Sequence, residues 1–307
     1  MSGPTIDYTQ PSGSGDNHAR SYQHIVAKPL ASSMGAEIQN VDLRHLDAAT
    51  FAELSDALYH HKMVFIRQQN LSFEDQEQLT LRFGEFGIDA YTTGIDGHPN
   101  IQRVLKTAEQ KSSVIFGGSW HTDSPFLAQP PAISLLYGID IPPYGGDTLW
   151  ANTVGALAVL GDTMQDMLKP LKVHMSGRRI LAALKNSAAP GTQATFASMD
   201  INPKERELIE GSYHPLIRTH PVTGERSLYI DESYTVGIQG FSDYEATPVI
   251  EFLCRHITQP IFTCRLRWEQ DTFVLWDNRS CIHHAFNDHD GFRREMLRTI
   301  VAGEIPA

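Results

Sequence analysis

From Phe262 to Trp268 the chain alternates: Phe262, Cys264, Leu266 and Trp268 are bulky or apolar, while Thr263, Arg265 and Arg267 between them are polar. A period of two sends successive side chains to opposite faces of an extended backbone, so this stretch reads as a strand with one buried and one wet face. Shorter runs of the same kind recur at Met63 to Ile66, Ile133 to Tyr137, Leu216 to Thr219, Leu228 to Ile230, Thr272 to Leu275 and Met296 to Val301. Turn residues punctuate them, and Pro221-Val-Thr-Gly224 between two of the runs reads as a hairpin turn. Many short strands with frequent turns lead to a sandwich or a barrel, which constrains the chain more than any other feature.

Helical signals are few and are placed by their caps. Asp47 precedes Phe51, Leu54 and Leu58 at helical spacing, and Ser72-Phe-Glu-Asp75 has the form of a capping box opening a helix through Leu79 to Phe83. Asn152 can start a helix through Leu157 and Met164, and Ser242-Asp-Tyr-Glu245 is a second capping box, before Ile250, Leu253 and Ile257. The expected class is mainly β with peripheral helices.

The chain has 307 residues, room for two domains or one large β-rich one, and its 41% apolar and 20% charged content excludes a disordered or fibrous chain. Residues Ser2 to Asn17 are rich in Gly, Ser, Pro and Thr and have little to bury, so 1–20 is expected as a loose tail. No linker, charge block or repeat interrupts the remainder of the chain, and 21–307 is expected as a single domain. A net charge of −11 disfavours a broad grip on nucleic acid or on an anionic membrane. No apolar stretch approaches membrane-spanning length and the start is polar where a signal peptide would be apolar. The three cysteines, Cys254, Cys264 and Cys281, form no C-x-x-C pair. They indicate neither a disulfide framework nor a thiolate zinc site, and a cytoplasmic location is expected.

Trp120-His-Thr-Asp-Ser-Pro-Phe126 sets an imidazole and a carboxylate two positions apart, and in extended backbone both project from one face. Alone the pair means little, because His45-Leu-Asp47 has the same spacing just ahead of a helix that Asp47 caps. Far downstream, Trp276-Asp-Asn-Arg279 leads into Cys281-Ile-His-His284 and then Phe292-Arg-Arg-Glu-Met-Leu-Arg298. A distant histidine added to His121 and Asp123 would make a two-histidine, one-carboxylate set that leaves three octahedral positions open, which suits non-haem Fe(II) chemistry; zinc hydrolysis is the rival use. Of His283 and His284 only one can face an ion, and periodicity does not choose between them. In an extended segment Arg294, Met296 and Arg298 share a face, placing two permanent cations where carboxylates could bind; Arg293 is out of register and is expected at the surface.

Taken together, Trp120-His-Thr-Asp-Ser-Pro-Phe126, Gly145-Gly-Asp-Thr-Leu-Trp150, Trp276-Asp-Asn-Arg279, His283 and Arg294 resemble the TauD/TfdA family of Fe(II)/2-oxoglutarate oxygenases, which includes taurine dioxygenase and 2,4-dichlorophenoxyacetate dioxygenase. The early Gly35-Ala-Glu-Ile-Gln-Asn-Val-Asp42 segment and the Arg218-Thr-His-Pro-Val-Thr-Gly224 turn extend the likeness from about Tyr22 to the end. The resemblance implies a double-stranded β-helix, a cupin-like jelly roll. It implies His121, Asp123 and His283 as iron ligands, with His283 preferred over His284 by its distance from Arg294. Arg294 and Thr148 would hold the distal carboxylate of 2-oxoglutarate, and Arg298 the anionic head of a small organic substrate. The implied reaction takes Fe(II), 2-oxoglutarate and O2, releases succinate and CO2, and oxidises, most simply hydroxylates, a C–H bond. A homo-oligomer is compatible with the family.

The chain departs from the taurine enzyme's pattern in two places. Asp89 stands where that enzyme has a sulfonate-contacting histidine, and its charge would repel a sulfonate; Gly117 stands nearest a missing asparagine. Taurine is therefore not the expected substrate. Tyr91, Lys185 and Arg179 are further pocket candidates without an assigned role. The competing classes are a non-catalytic jelly-roll module that binds a small acid or metal, and a zinc-dependent hydrolase.

Overall fold

The computed structural model describes residues 17–89, 92, 94–111, 117–180, 182 and 210–307. In chain order the elements are β1 (Val26–Pro29), β2 (Ala36–Gln39), α1 (Ala48–His61), β3 (Met63–Ile66), α2 (Phe73–Phe83), β4 (Gln102–Lys106), β5 (Ile133–Asp140), β6 (Thr148–Asn152), α3 (Thr153–Ala158) and α4 (Asp162–Leu168). They continue with β7 (Lys172–Met175), β8 (Ser212–Pro215), β9 (Ile217–Thr219), β10 (Arg226–Leu228), β11 (Thr235–Ile238), α5 (Asp243–Ile257), β12 (Thr263–Leu266), β13 (Phe273–Asp277), β14 (Cys281–Ala285) and β15 (Arg294–Val301). The expected mainly β class with helices at the periphery is what these elements form.

Seven strands make the large sheet, in the order β1-β2-β3-β13-β5-β15-β4, and three make the sheet β12-β6-β14. The central strands of the large sheet are apolar at most positions because both faces are covered. On β13, Val274 and Trp276 join one cluster with Trp150, Cys264, Leu266 and Cys281 of the small sheet, while Phe273 and Leu275 join another with Leu54 and Leu58 of α1 and Leu79 of α2. Met63 and Phe65 of β3 likewise face the small sheet, and Val64 and Ile66 face the helices. The two sheets therefore pack face to face, and the period-two alternation decides which side chains enter the space between them. On β15 that inner face carries Met296, and with it, at the same parity, Arg294 and Arg298.

The caps form as their sequences predict. Asp47 accepts from Thr50 N at 2.7 Å, Ser72 and Asp75 close a reciprocal capping box, and Asn152 accepts from Gly155 N at 2.8 Å. The helix expected from Asn152 through Met164 is instead two, α3 and α4, broken at Val159 to Gly161, with Gly161 capping the second. Glycine costs about 1 kcal/mol in a helix interior, so a break at Gly161 is the cheaper path. The alternating stretch is buried at Phe262, Cys264, Leu266 and Trp268, although Phe262 ends a 3-10 turn and β12 proper is Thr263–Leu266. Of the stretch expected as a tail, residues 1–16 lie outside the described residues. Asn17 is buried and donates to Ala31 O at 2.6 Å and Gly35 O at 2.9 Å, so the packed body begins before residue 21. Among the described residues no helix is long and apolar enough to cross a membrane.

The 220–224 turn is fastened to β13 by a buried ionic network. His220 Nδ1 accepts from Val222 N and Thr223 N, which leaves the proton on Nε2 to be donated to Asp277 at 2.8 Å. Arg279 binds the same carboxylate through Nε and Nη2, both at 2.8 Å. Burial alone would raise the Asp277 carboxyl, but Arg279 and His220 outweigh it and hold the group well below the usual carboxylate range. Its contribution to stability is therefore complete above an ordinary unfolded carboxylate value of about 3.9 and is lost as pH falls towards the lower folded value. Asp277→Ala removes the His220 acceptor and leaves Arg279 with only the more distant Glu304, 3.7 Å away, and is expected to cost about 3–5 kcal/mol, read as a lower urea midpoint at unchanged slope.

Candidate metal centre

His121 and His283 meet because their backbones do. The two residues form an antiparallel bridge, His121 N donating to His283 O at 3.0 Å and His283 N to His121 O at 2.7 Å, and the imidazole centroids lie 4.1 Å apart. Asp123, two residues on, brings its carboxylate to the same point, with Oδ1 3.9 Å from His121 Nε2. One ligating atom from each of the three lies within 4.8 Å of the others, and all three residues are buried. His284 points the other way, its ring against Trp120 and Phe286, as alternation along β14 requires.

The protonation states suit a metal. His121 Nδ1 donates to Ser119 O at 2.7 Å, which leaves the Nε2 lone pair for an ion. Burial depresses both imidazoles, for His283 reinforced by His121 beside it, so both are neutral near pH 7. Burial opposes ionisation of Asp123, but the Arg298 guanidinium beside it, helped by the hydrogen bond from Ser134, overcomes it and keeps the carboxyl below its ordinary range. Among the described residues His283 Nδ1 is buried without a hydrogen-bond partner, an orphaned polar atom of the kind a ligand-binding pocket leaves.

Three residues to which the sequence pattern assigns no role, Ser134, Asn278 and Asp231, orient this set. Ser134 Oγ donates to Asp123 Oδ2 at 2.5 Å, and Asn278 Nδ2 donates to Ser134 Oγ at 2.9 Å, so the serine proton is committed to the carboxylate. Asn278 Oδ1 in turn accepts from Trp276 Nε1 at 3.0 Å and from Asp123 N at 3.3 Å. On the other side Asp231 accepts from Thr122 N at 3.2 Å and Tyr234 N at 2.6 Å; its burial pushes the carboxyl up to about 7. The available signal was a lone polar residue in the apolar run Ala132-Ile-Ser-Leu-Leu136, since a buried hydroxyl needs a partner. Ser134→Ala is expected to weaken Fe(II) binding about 10- to 100-fold, measured by competition with a chelator, while the thermal transition shifts little.

The same pocket is lined by Gly117, Thr148, Trp150, Trp276, Arg294 and Arg298. Gly117 has φ +75, and a Cβ there would stand 3.2 Å from His121 Cε1, so a side chain would press on the imidazole. Thr148 Oγ1 accepts from Trp268 Nε1 at 2.9 Å, which frees the hydroxyl proton for another acceptor. Arg294 is buried, and among the described residues its one hydrogen bond is to Gly146 O at 3.2 Å; burial lowers it to about 10. Arg298 is differently placed: it donates to Asp123 Oδ1 at 3.0 Å and is ion-paired with Asp89. Arg293 lies half-exposed against Asp140 and Glu295, as its register predicts. Arg179 does not reach this pocket but lines a separate cavity of about 480 Å³ beside α5. Tyr91 and Lys185 lie outside the described residues.

This arrangement has known counterparts. An α-ketoglutarate-dependent sulfate ester dioxygenase of Pseudomonas putida is 32% identical over 280 residues, covering 91% of this chain and 89% of that protein. An alkylsulfatase of Acinetobacter baylyi is 31% identical over 285 residues, covering 92% and 86%. A taurine dioxygenase structure from Burkholderia xenovorans superposes with TM-score 0.77 at 31% identity and covers 93% of each chain. Residues 27–300, which span every element from β1 to β15 except their outermost ends, match the taurine catabolism dioxygenase TauD, TfdA family, and the chain belongs to it.

Proposed function

We propose that this α-ketoglutarate-dependent dioxygenase hydroxylates a C–H bond of a small organic anion, with Fe(II), 2-oxoglutarate and O2 as cofactor and cosubstrates, and that alkyl sulfate esters are the substrate class to try first. The reading rests on one observation: a buried set of two neutral histidines and one carboxylate stands beside a buried guanidinium that has no carboxylate within bonding distance among the described residues. The donor set fits Fe(II), and the names of the sulfate ester and alkylsulfate relatives support the class. The two packed sheets, with the site between β14 and β15, support a double-stranded β-helix over one dioxygenase domain.

On this reading His121, Asp123 and His283 hold the iron. Iron, the oxo acid and oxygen supply the oxidising power when bound. The chain supplies position: Arg294 and Thr148 receive the distal carboxylate, Ser134 and Asn278 fix the Asp123 carboxylate, and Trp150 and Trp276 keep the pocket dry. Arg298, on the same face of β15, is the anchor for an anionic head. The test is Fe(II)-dependent 2-oxoglutarate consumption across a set of alkyl sulfates and sulfonates. Stimulation by one of them, with succinate formed in step, is the expected result. A zinc hydrolase would act without oxygen or oxo acid, and a binding module would consume none; either outcome removes the proposal.

A further inference from the structure

Two buried arginines stand on one face of β15 and are partnered in opposite ways. Arg294 has a backbone carbonyl and no carboxylate within bonding distance among the described residues. Arg298 lies between two carboxylates: one N–H donates to Asp123 Oδ1 at 3.0 Å and another belongs to an ion pair with Asp89, and all three side chains are at most 5% exposed. Asp89 is itself oriented by Thr92 N, which donates to its Oδ1 at 2.9 Å. When a divalent cation takes Asp123, Asp89 remains as a counter-ion of Arg298. The guanidinium that an anionic head would need is therefore already neutralised from within the chain. A second anion beside Asp89 in a water-poor pocket meets like-charge repulsion, so the two cannot share Arg298 on favourable terms.

We propose that Asp89 is an internal competitor for Arg298: the Asp89 carboxylate and the anionic head of the substrate use the guanidinium in turn, and Asp89 thereby sets which anions the enzyme accepts and how tightly. The inference deepens the proposed function, from which it takes Arg298 as the anchor. Anion affinity is then the difference between two ion pairs instead of the worth of one. Only heads that satisfy the N–H directions of the fork better than one aspartate does are retained, which favours multi-oxygen anions.

Two variants test it, Asp89→Asn, which keeps the shape and removes the charge, and Asp89→Gly, which removes the side chain. Binding of inorganic sulfate is measured by calorimetry on the full chain, alone and loaded without oxygen with Fe(II) and 2-oxoglutarate, and folding is checked by thermal unfolding. Both variants are expected to bind sulfate at least tenfold more tightly than the wild type, and adding Arg298→Gln to Asp89→Asn is expected to remove the gain. Equal or weaker sulfate binding in the folded variants overturns the proposal. In air, the hexyl sulfate concentration that half-saturates 2-oxoglutarate consumption is expected to fall in the same order. If sulfate binding tightens but no alkyl sulfate drives consumption in any variant, the competition stands and the sulfate ester reading falls. If hexyl sulfate is oxidised with one KM in all three proteins, the function stands and the competition falls.

Discussion

Protein carrying His121→Ala is expected to fold and to consume no 2-oxoglutarate. The substitution removes one of the three side chains proposed to hold the iron but leaves the main-chain bridge to His283, which uses only backbone N and O. Burial already keeps the ring neutral, so no charge balance is disturbed. Loss of an outer hydrogen-bond partner alone costs about 10- to 100-fold in metal affinity, and loss of a ligand is expected to exceed that, leaving turnover below detection. Iron content, 2-oxoglutarate consumption and the thermal transition, measured on the same sample, separate the loss of metal from the loss of fold. Asp123→Ala is the harsher variant. It removes a proposed ligand and also one of the carboxylates paired with Arg298, so a fall in stability is expected on top of the loss of activity.

Arg294→Ala is expected to raise the 2-oxoglutarate requirement steeply while leaving the unloaded protein at least as stable. Truncating one partner of a desolvated charge pair costs about 2–5 kcal/mol. At about 1.4 kcal/mol per factor of ten, that is roughly 30- to 4000-fold in half-saturating 2-oxoglutarate. The stability side has the opposite sign. Burial lowers Arg294 to about 10, below its unfolded value, so the folded state disfavours the charged form at neutral pH and removing the group relieves that penalty. A urea midpoint that stays level or rises, together with a large increase in half-saturating 2-oxoglutarate, is the pattern of a cation placed for a ligand. Arg294→Lys is expected to recover only part of the affinity, because an ammonium is a single point of charge where the guanidinium offers a two-pronged fork.

Much of this chain was legible before any coordinate. Cap chemistry acts over three residues, so Asp47, Ser72, Asn152 and Ser242 could be read directly, and three of these caps bind their backbone N–H as expected. The period-two pattern of residues 262–268 and the turn at Pro221 to Gly224 are equally local; the turn forms as predicted, and the pattern buries its apolar positions although only Thr263–Leu266 is strand. The stretch from Asn152 to Met164 misled because its apolar spacing continues through Val159 to Gly161, where glycine ends the first helix and caps the second. His121 and Asp123 are close in sequence and could be paired on paper. His283 against His284 could not be resolved by periodicity, since a strand offers both faces equally until something determines which face is inside.

Residue pattern alone determined several of the strands, the starts of α1, α2, α3 and α5, the neighbouring His121 and Asp123, and the two arginines on one side of β15. Tertiary structure decided which of these meet. Ser134 reaches Asp123 and takes a hydrogen bond from Asn278, 144 residues away in the chain, and Arg298 is paired with Asp89 across 209. Periodicity records only how side chains distribute around their own element. Which residue neutralises a buried charge depends on how sheets close on one another, and that is set by the sum of packing over the whole chain. For this reason Arg298 could be singled out in the sequence as a candidate anchor, while its pairing with the Asp89 carboxylate could be recognised only in the fold.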